Sequence, residues 1–220
     1  METSPTTAIR ELAGHDPLPW VLWCLACRAC HKIKSRILAV LLRAPGLFIA
    51  GHCKVSGIRH LRIGRNFYVP GDLWIDAVTR YGGQRFTPSI VIGDDVRLSP
   101  GAHITAIDRI VIGSGVLAGS RIYISDHNHG EYAGSTQSSP WEAPAERRLG
   151  GGGPVIIGDN VWIGENVVIL GPANIGAGAI LAANSVVRGD VPAMTMVGGI
   201  PARRIKQFQV DTQRWERLEP

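Results

Sequence analysis

The sequence predicts an all-β protein whose short strands stack into a solenoid of hexapeptide repeats. An aliphatic or small apolar residue recurs every six positions along the C-terminal part of the chain, a period that matches neither a helix nor an alternating strand. Glycine contributes 27 of the 220 residues and joins Asn and Asp between the apolar positions, where tight corners need a left-handed backbone. Stacked turns of this kind bury a continuous core that no single repeat could bury alone.

The clearest run of repeats occupies residues 157–197. Its leading positions are Ile157, Ile163, Ile169, Ile175, Leu181, Val187 and Ala193. A second, smaller set follows four residues later at Val161, Val167, Ala173, Ala179, Ser185, Val191 and Val197. The same frame appears upstream, and its phase shifts at residues 76–91, 105–111 and 125–156 predict loops that leave the solenoid.

The N-terminal residues lie outside the repeats. Residues 1–17 predict a flexible lead-in, and residues 18–52 predict a helical cap, in which 18–44 read as one or two helices ended by a Pro-Gly pair. One interpretation is that the helical segment covers the open first coil. The other is an interfacial helix, with Trp20 and Trp23 among lipid headgroups and the later Lys and Arg residues against anionic lipid. The second interpretation would add a peripheral membrane contact through residues 18–44.

Composition and charge exclude several broad classes of protein. With 45% hydrophobic and 19% charged residues, the chain predicts one folded domain with a modest appendage. The net charge of +5 suits a phosphorylated ligand or an anionic surface, but without a long basic run it indicates no nucleic-acid partner. The first residues lack the pattern of a secretory signal, and four cysteines make no disulfide framework. We therefore expect a cytoplasmic protein, with the inner face of the membrane as a further location.

Three cysteines of the helical segment, Cys24, Cys27 and Cys30, are spaced three residues apart. Such spacing invites comparison with iron–sulfur and zinc ligands. A continuous helix provides no turn between the thiols, no fourth ligand is near in sequence, and Cys53 is distant. We therefore expect these thiols to pack as small buried apolar groups, and we expect no metal ion.

Two segments resemble a known family. The stretch IGDNVWIGENVVILGPANIGAGAILAANSVVRGDVPAMTMVGGIPARRIK, from Ile157 to Lys206, resembles the C-terminal signature of the left-handed β-helix acyltransferases. Within them it is most similar to the galactoside, maltose and xenobiotic acetyltransferase branch. The segment ISDHNHG at residues 124–130 resembles the subgroup that O-acetylates bacterial surface polysaccharides. The resemblance extends over residues 55–206.

The resemblance implies a left-handed parallel β-helix of hexapeptide repeats over residues 53–202, preceded by a short N-terminal helical segment. It implies a protruding loop at 130–153 and leaves residues 203–220 as a C-terminal tail. Members of the family are homotrimers with three equivalent sites between neighbouring subunits, and acetyl-CoA is their co-substrate. The leading hypothesis is therefore an acetyl-CoA-dependent O-acetyltransferase that acts on a sugar hydroxyl of a surface polysaccharide or its precursor.

Acetyl transfer to a hydroxyl needs a base that takes the hydroxyl proton, and histidine is the side chain best suited to this at neutral pH. Two of the seven histidines, His127 and His129, lie where a coil ends and the long loop begins. The resemblance implies that His129 is this base, and His127 stays open as the alternative. Asp126 is a candidate partner that orients an imidazole. A purely structural role for both histidines in ordering the loop is the competing interpretation.

The resemblance also implies where the coenzyme would lie. An aromatic residue and a nearby glycine would line the wall of the site, two alanines would offer backbone contacts to the pantetheine arm, and the last basic residues would lie near the adenine and phosphates. These positions are Trp162, Gly164, Ala182, Ala183, Pro201, Arg203, Arg204 and Lys206. The competing interpretation of the terminal basic residues is the solvated start of a helix.

Three further residues are candidates for binding the acceptor. Asp72 and Asp76 carry carboxylates that could bind sugar hydroxyls, although either could simply occupy a corner of the solenoid. Trp141 lies in the long loop and could offer a contact surface to the substrate. The four glycines at 150–153 predict a loop able to move over the site.

Three other functions compete with the leading hypothesis. N-acetylation of an amino sugar would use the same base and the same groove. A zinc hydrolyase with the same solenoid would need three converging histidines, for which His103, His127 and His129 are the candidates. A non-catalytic solenoid scaffold would need none of them. The coenzyme-end signature argues against the zinc hydrolyase.

Overall fold

The computed structural model describes residues 16–218. One helix, α1 (Leu18–Leu41), precedes a series of short strands, numbered β1 to β23 in chain order. Within the coils, strands that follow one another along the chain lie on different faces, whereas strands one coil apart pair side by side. The chain therefore winds around a prism with three faces.

Each face is a stack of parallel strands. The first face contains β1 (Phe48–Ile49), β4 (Tyr68–Val69), β9 (Arg97–Leu98), β12 (Leu117–Ala118), β17 (Trp162–Ile163), β19 (Ile180–Leu181) and β21 (Thr195–Gly199). The second face contains β2 (Cys53–Ser56), β5 (Leu73–Ala77), β10 (Ala102–Ala106), β13 (Tyr123–Ser125) and the first halves of β18 (Val168–Ile175) and β20 (Val186–Val191). The third face contains β3 (Leu61–Ile63), β8 (Ser89–Ile92), β11 (Arg109–Ile112), β16 (Val155–Ile157) and the second halves of β18 and β20. This arrangement confirms the predicted parallel solenoid.

The core follows the six-residue frame. Ile157, Ile163 and Ile169 are at most 1% exposed, because each occupies the inward position of its strand. Ala193, the last residue that the six-residue frame predicts to point inward, is instead exposed. Val197, which belongs to the second set, is 3% exposed and fills the core of the last coil.

The corners use the residue types that the sequence predicts for them. Asn160, Asn166 and Asn184 have φ angles of 56°, 55° and 59°, in the left-handed region that Asn tolerates better than most residues. The side-chain amide of Asn166 donates to Oδ1 of Asn184 one coil away, at 3.0 Å. Successive corners are thereby linked along the axis of the solenoid.

Both long insertions leave the solenoid at the corner between the second and third faces. One carries a hairpin of β6 (Arg80–Tyr81) and β7 (Gln84–Arg85), and the other is anchored by β14 (Asn128–His129) and β15 (Leu149–Gly150). The phase shift at 105–111 also predicted a loop, but there only residues 107 and 108 separate β10 from β11. That corner stays tight because the buried carboxylate of Asp126 accepts hydrogen bonds from the backbone amides of residues 107–109.

The helix α1 packs on the open first coil. Oγ of Ser35 accepts the amide of Ile49 at 2.9 Å, and Nζ of Lys34 donates to the carbonyl of Gly51 at 2.6 Å. No helix within residues 16–218 has both the length and the apolarity that crossing a bilayer requires. Most of the predicted lead-in, residues 1–15, lies outside the described residues.

The end of the chain adds two antiparallel strands to the first face. Strand β22 (Ala202–Gln209) folds back on β21, and β23 (Arg214–Arg217) pairs with β22. The segment predicted as a C-terminal tail is therefore part of a sheet through residue 217. Its basic residues belong to a strand, so the interpretation as the start of a helix is wrong.

Candidate active site

A cleft of about 480 Å³ opens on the second face, beside the corner from which both insertions leave. The second face contributes the floor, and the hairpin β6–β7 and the start of the long loop contribute the walls. Its lining includes Ser56, Trp74, Asp76, Tyr81, His103, Tyr123, His127 and His129. The two histidines at the start of the loop thus line the same cleft, as their spacing of two residues predicts.

Asp126 is the most constrained polar residue of this region. Its carboxylate is completely buried, and Oδ1 accepts the amide of Ile107 at 2.9 Å. Oδ2 accepts the amides of Asp108 and Arg109, each at 2.8 Å. A fourth donor, Nδ1 of His127, lies 2.9 Å from Oδ1. The four donors match the acceptor capacity of an ionised carboxylate, so the neighbouring corner holds this group in one orientation.

His127 is held by that carboxylate. Because an ionised carboxylate can only accept, Nδ1 of the ring carries the proton of this hydrogen bond, and Nε2 carries the lone pair. The side chain of His127 is 9% exposed, so the ring reaches the cleft while its body is packed. The pair has the geometry of an imidazole oriented by an acidic partner, which is the arrangement of a general base.

His129 has a different partner. Its Nδ1 lies 3.2 Å from the hydroxyl of Tyr81, and this hydroxyl donates to the carbonyl of Ala145 at 2.6 Å. The rings of Tyr81 and His129 also meet edge to face, with centroids 5.2 Å apart. His129 is thus exposed and paired with a neutral group from the hairpin insertion, whereas His127 is packed and paired with a carboxylate.

A ladder of stacked side chains crosses the floor of the cleft. Nζ of Lys54 lies 3.9 Å from the centre of the Trp74 ring, and His103 stacks on the other side of Trp74 with centroids 4.0 Å apart and planes 10° apart. Tyr123 follows His103 at 5.1 Å. Burial lowers the pKa of His103, an effect that Asp76 opposes. The ladder therefore presents His103 to the cleft as a neutral imidazole at neutral pH.

The structure separates the three candidate acceptor residues. Asp76 lines the cleft and accepts a hydrogen bond from the hydroxyl of Ser56 at 2.8 Å. Asp72 occupies a corner of the first coils, where its carboxylate accepts the amide of His52 at 2.8 Å. Trp141 is 94% exposed in the long loop. Among the lining residues of the cleft in the described chain, only Asp76 of these three is present.

The predicted coenzyme residues lie elsewhere on the solenoid. Trp162 is 54% exposed on the first face, and Gly164 follows it toward the next corner, where Cβ of any larger residue would lie 2.5 Å from the amide nitrogen of Ala183. Ala182 and Ala183 begin the equivalent corner of the next coil, directly after β19. Within one chain, these residues and His127 therefore belong to different sides of the prism.

The remaining predicted coenzyme residues cluster at the end of the solenoid. Arg203 and Arg204 pair with the last strand of the first face, and Lys206 follows after a bulge. Pro201 occupies the turn between β21 and β22. The two arginines are exposed, so their charge is available on the same side of the prism as Trp162.

Gly151 and Gly152, in the run of glycines at 150–153, fit backbone positions that a larger residue would strain. Cβ at residue 152 would lie 2.8 Å from Cα of His127, and it would overlap the carbonyl of Asp126. Gly151 has φ of +64° and supplies the carbonyl that accepts from Asn128. The returning strand of the loop thus passes directly against the backbone that carries His127.

Two features of the cleft were absent from the sequence-based prediction. Trp74, His103 and Tyr123 each directly precede an inward isoleucine of the repeat, so the six-residue frame contains the signal for the ladder. Tyr81 gives a weaker signal, which is the Gly82-Gly83 turn of a hairpin inside a phase shift.

No group of three His, Cys, Asp or Glu side chains in residues 16–218 is arranged to hold a metal ion. The three cysteines of α1 do not converge with another ligand. Cys24 and Cys27 are partly buried, whereas Cys30 is exposed, so the expectation of buried thiols fails for the third cysteine. Its position on the outer side of the helix explains the difference.

Comparison with known proteins finds relatives along most of the chain. A family model described as "Bacterial transferase hexapeptide (six repeats)" matches residues 154–189. The Escherichia coli K12 protein described as "Putative lipopolysaccharide biosynthesis O-acetyl transferase WbbJ" is 35% identical over 165 residues. The match covers 75% of this chain and 81% of that protein.

Two solved structures are similar in fold. The hexapeptide-repeat acetyltransferase VCA0836 of Vibrio cholerae, in complex with acetyl coenzyme A, is 27% identical with a TM-score of 0.51, over 80% of this chain and 78% of that one. A point mutant of AntD, an N-acyltransferase of Bacillus cereus in complex with dTDP-4-amino-4,6-dideoxyglucose and coenzyme A, is 17% identical with a TM-score of 0.60. That match covers 81% of this chain and 91% of AntD, and it shows a shared fold.

Proposed function

Because the chain belongs to the bacterial hexapeptide-repeat acyltransferases, we propose that it is an acetyl-CoA-dependent O-acetyltransferase acting on a sugar hydroxyl of a surface polysaccharide or its precursor. The observation that carries the proposal is the buried Asp126–His127 pair at the wall of the cleft. The similarity to WbbJ supports the acceptor class, and the acetyl coenzyme A complex of VCA0836 supports the donor.

In this proposal His127 is the general base. Nε2 takes the proton of the acceptor hydroxyl as its oxygen attacks, while Nδ1 keeps its hydrogen bond to Asp126. The buried carboxylate stabilises the imidazolium that forms, and the imidazolium then returns the proton to the departing thiolate. The thioester of acetyl-CoA would supply the acyl group for this exchange. His129 remains the alternative base that the family resemblance implies.

Coenzyme binding is proposed to involve two subunits. The predicted coenzyme residues and His127 lie on different sides of one prism, so a single chain offers only half of a site. In a left-handed β-helix homotrimer, the first face of one subunit would lie beside the cleft of the next. Trp162, Gly164, Ala182 and Ala183 would then border the pantetheine arm, and the basic residues of β22 would face the phosphates.

The acceptor is proposed to bind on the second face. Asp76 is already oriented by Ser56 and can accept from sugar hydroxyls, and the neutral imidazole of His103 offers a donor or an acceptor beside it. Asp72 fills a corner and Trp141 lies in the loop, so both would act only if the acceptor extends beyond the cleft. We place the reaction in the cytoplasm, the compartment that the four free thiols suggest.

The test is acceptor-dependent release of free thiol from acetyl-CoA by the wild-type protein. A panel of sugars and oligosaccharides is offered, and the product is analysed for an ester or an amide. Release that yields an ester supports the proposal, whereas an amide on an amino sugar would replace it with N-acetylation. Coenzyme binding is measured separately by calorimetry, and failure to bind acetyl-CoA at all would contradict the transferase assignment.

A further inference from the structure

The outer side of the N-terminal helix is an exposed apolar surface. Leu22, Ile33, Ile37 and Val40 are 57%, 59%, 57% and 78% exposed, although α1 packs its other side on the first coil. Their positions fall along one side of a helix with 3.6 residues per turn, opposite the buried Ser35. We define the outer side of α1 by these four residues together with Leu18 and Trp23, which are 68% and 63% exposed.

Two cations border this outer side. Lys32 and Arg36 are four residues apart and exposed, so they lie above one another along one flank of the helix. Arg28 is also exposed, but it lies seven residues before Ser35 and therefore on the side of α1 that faces the first coil. Trp20, although 54% exposed, lines a groove between α1 and the first coil and is not part of the outer side. The outer side of the helix thus combines an apolar surface, the indole ring of Trp23 and a cationic flank.

Charge is segregated at the same end of the molecule. Between residues 17 and 71 the chain carries nine Lys and Arg residues and no Asp or Glu, whereas the whole chain has 23 basic and 18 acidic residues. The first carboxylate after this segment is that of Asp72. The helix and the first coil therefore carry an excess of positive charge, although the carboxylate of Asp94 in the second coil pairs with one of these cations, Arg65, at 2.8 Å.

We propose that the outer side of α1 lies flat on an anionic lipid bilayer, with its apolar residues at the level of the headgroups and Lys32 and Arg36 against lipid phosphates. An amphipathic helix with aromatic and aliphatic residues on one side and cations beside them binds such a surface in its plane. At 24 residues, α1 is about 36 Å long, which allows contact along its entire length.

The positive charge around α1 favours an anionic bilayer over a second copy of the chain as the partner of this outer side. Two copies that packed these outer sides together would bring two cationic ends into contact, with no carboxylate between residues 17 and 71 to compensate them. An anionic bilayer supplies an apolar phase and negative charge in one surface. Each cation near such a surface strengthens binding about fivefold.

The proposal is independent of the acetyl transfer reaction, but it bears on where the acceptor arrives. The cleft includes Ser56 and Gly57 of the first coil, next to the end of the solenoid that α1 covers. A bilayer under α1 would therefore lie at the end of the solenoid nearer the cleft.

The test is flotation of the full chain with vesicles of phosphatidylcholine, alone or mixed with phosphatidylglycerol. We expect flotation with the mixed vesicles, much weaker flotation with the neutral ones, and loss of binding at high salt. The variant Ile33→Glu should weaken binding tenfold or more. Val210→Glu is the matched control, because Val210 is also 59% exposed but lies at the other end of the chain.

Charge is tested by the double variant Lys32→Glu and Arg36→Glu, with Arg214→Glu as its control. The double variant should lose binding to the mixed vesicles, and the control should keep it. Circular dichroism and melting temperature verify that each variant is folded. Absence of flotation by the wild type, or equal loss in the control variants, would overturn the proposal. So would a fall in the molar mass of lipid-free Ile33→Glu, which would show that a second copy covers this surface.

Discussion

The regular C-terminal coils and the interrupted central coils share one repeat but differ at a single corner. In the C-terminal coils, β18 and β20 continue from the second face to the third without an insertion. In the central coils, the same corner releases the hairpin β6–β7 and the long loop, and it holds the Asp126–His127 pair. Inward apolar residues are alike in both regions, so the core specifies the solenoid, and the interrupted corner holds the residues proposed for catalysis.

The insertion at this corner also removes the neighbouring strand that would accept hydrogen bonds from the backbone amides. Where a strand continues around the corner, the neighbouring coil satisfies its amides. At residues 107–109 the neighbouring coil departs into the loop, and the carboxylate of Asp126 accepts those three amides instead. One side chain thus closes the corner and orients His127, the proposed base.

The largest effect on acetyl transfer is expected for Asp126→Asn, because Asp126 both accepts the amides of the corner and orients His127. The amide can no longer accept four donors, and its NH₂ group would face backbone amides. We expect acetyl transfer to fall about 10²- to 10⁴-fold, as on loss of a general base. The melting temperature should fall as well, because buried amides lose their acceptor. Steady-state thiol release together with thermal unfolding checks both effects, and a variant with unchanged turnover would contradict the dual role.

A core substitution in the regular C-terminal coils should lower stability and leave turnover nearly unchanged. Ile169 is 0% exposed on the second face of the C-terminal coils, so Ile169→Ala should lower the free energy of unfolding by about 2–5 kcal/mol. Turnover by the remaining folded protein should stay close to that of the wild type. Denaturant unfolding gives the stability. A large loss of turnover at full folding would show that the two regions are less separate than proposed.

A third comparison uses two adjacent glycines. Gly152→Ala forces an atom against the carbonyl of Asp126 and Cα of His127, whereas at Gly153 the added atom would only approach Cβ of Pro172, at 3.1 Å. A displacement of about 1 Å at the base can lower turnover about 10²-fold, and we expect a loss of this order for Gly152→Ala. Gly153→Ala is the control with little change. Equal kcat values for the two variants would contradict the positioning role of Gly152.

The smallest effect concerns the pKa of His103. Trp74→Ala should raise this pKa by admitting water, whereas Asp76→Asn should lower it further, because the carboxylate of Asp76 favours the charged ring. NMR titration of the imidazole measures both directions. In the wild type a lowered pKa means that the folded state binds fewer protons, so this residue should reduce stability as the pH falls below about 6.5. Shifts of the same sign in both variants would contradict this account.

The fold was predictable from the sequence because one inward residue per six positions is a local signal. Ile163 and Ile169 are buried where the frame predicts, and Asn160 turns the corner that its type predicts. The frame also contains the ladder residue His103, which directly precedes an inward isoleucine. The end of the repeat was harder to predict, because β22 folds back on the last coil and replaces the pattern.

Asp126 was predictable as a candidate partner of an imidazole, and it contacts His127. Which of the two histidines it holds, and the partner of the other one, could not be predicted, because both depend on contacts between distant segments. Tyr81 reaches His129 from 48 residues away, and its position depends on how the hairpin folds against the loop. Asp126 is adjacent to His127 in sequence, but its orientation is set by amides 17 to 19 residues earlier. Spacing alone therefore indicated two candidate bases without a choice between them.

The most direct test of the central claim is the rate of acetyl transfer by His127→Gln and His129→Gln, measured side by side at saturating acetyl-CoA. If the interrupted corner holds the base, His127→Gln should lose about 10²- to 10⁴-fold in kcat. His129→Gln should lose less than about tenfold, because its partner is a neutral hydroxyl on the exposed wall of the cleft. A larger loss for His129→Gln, or near-normal turnover by His127→Gln, would contradict the account.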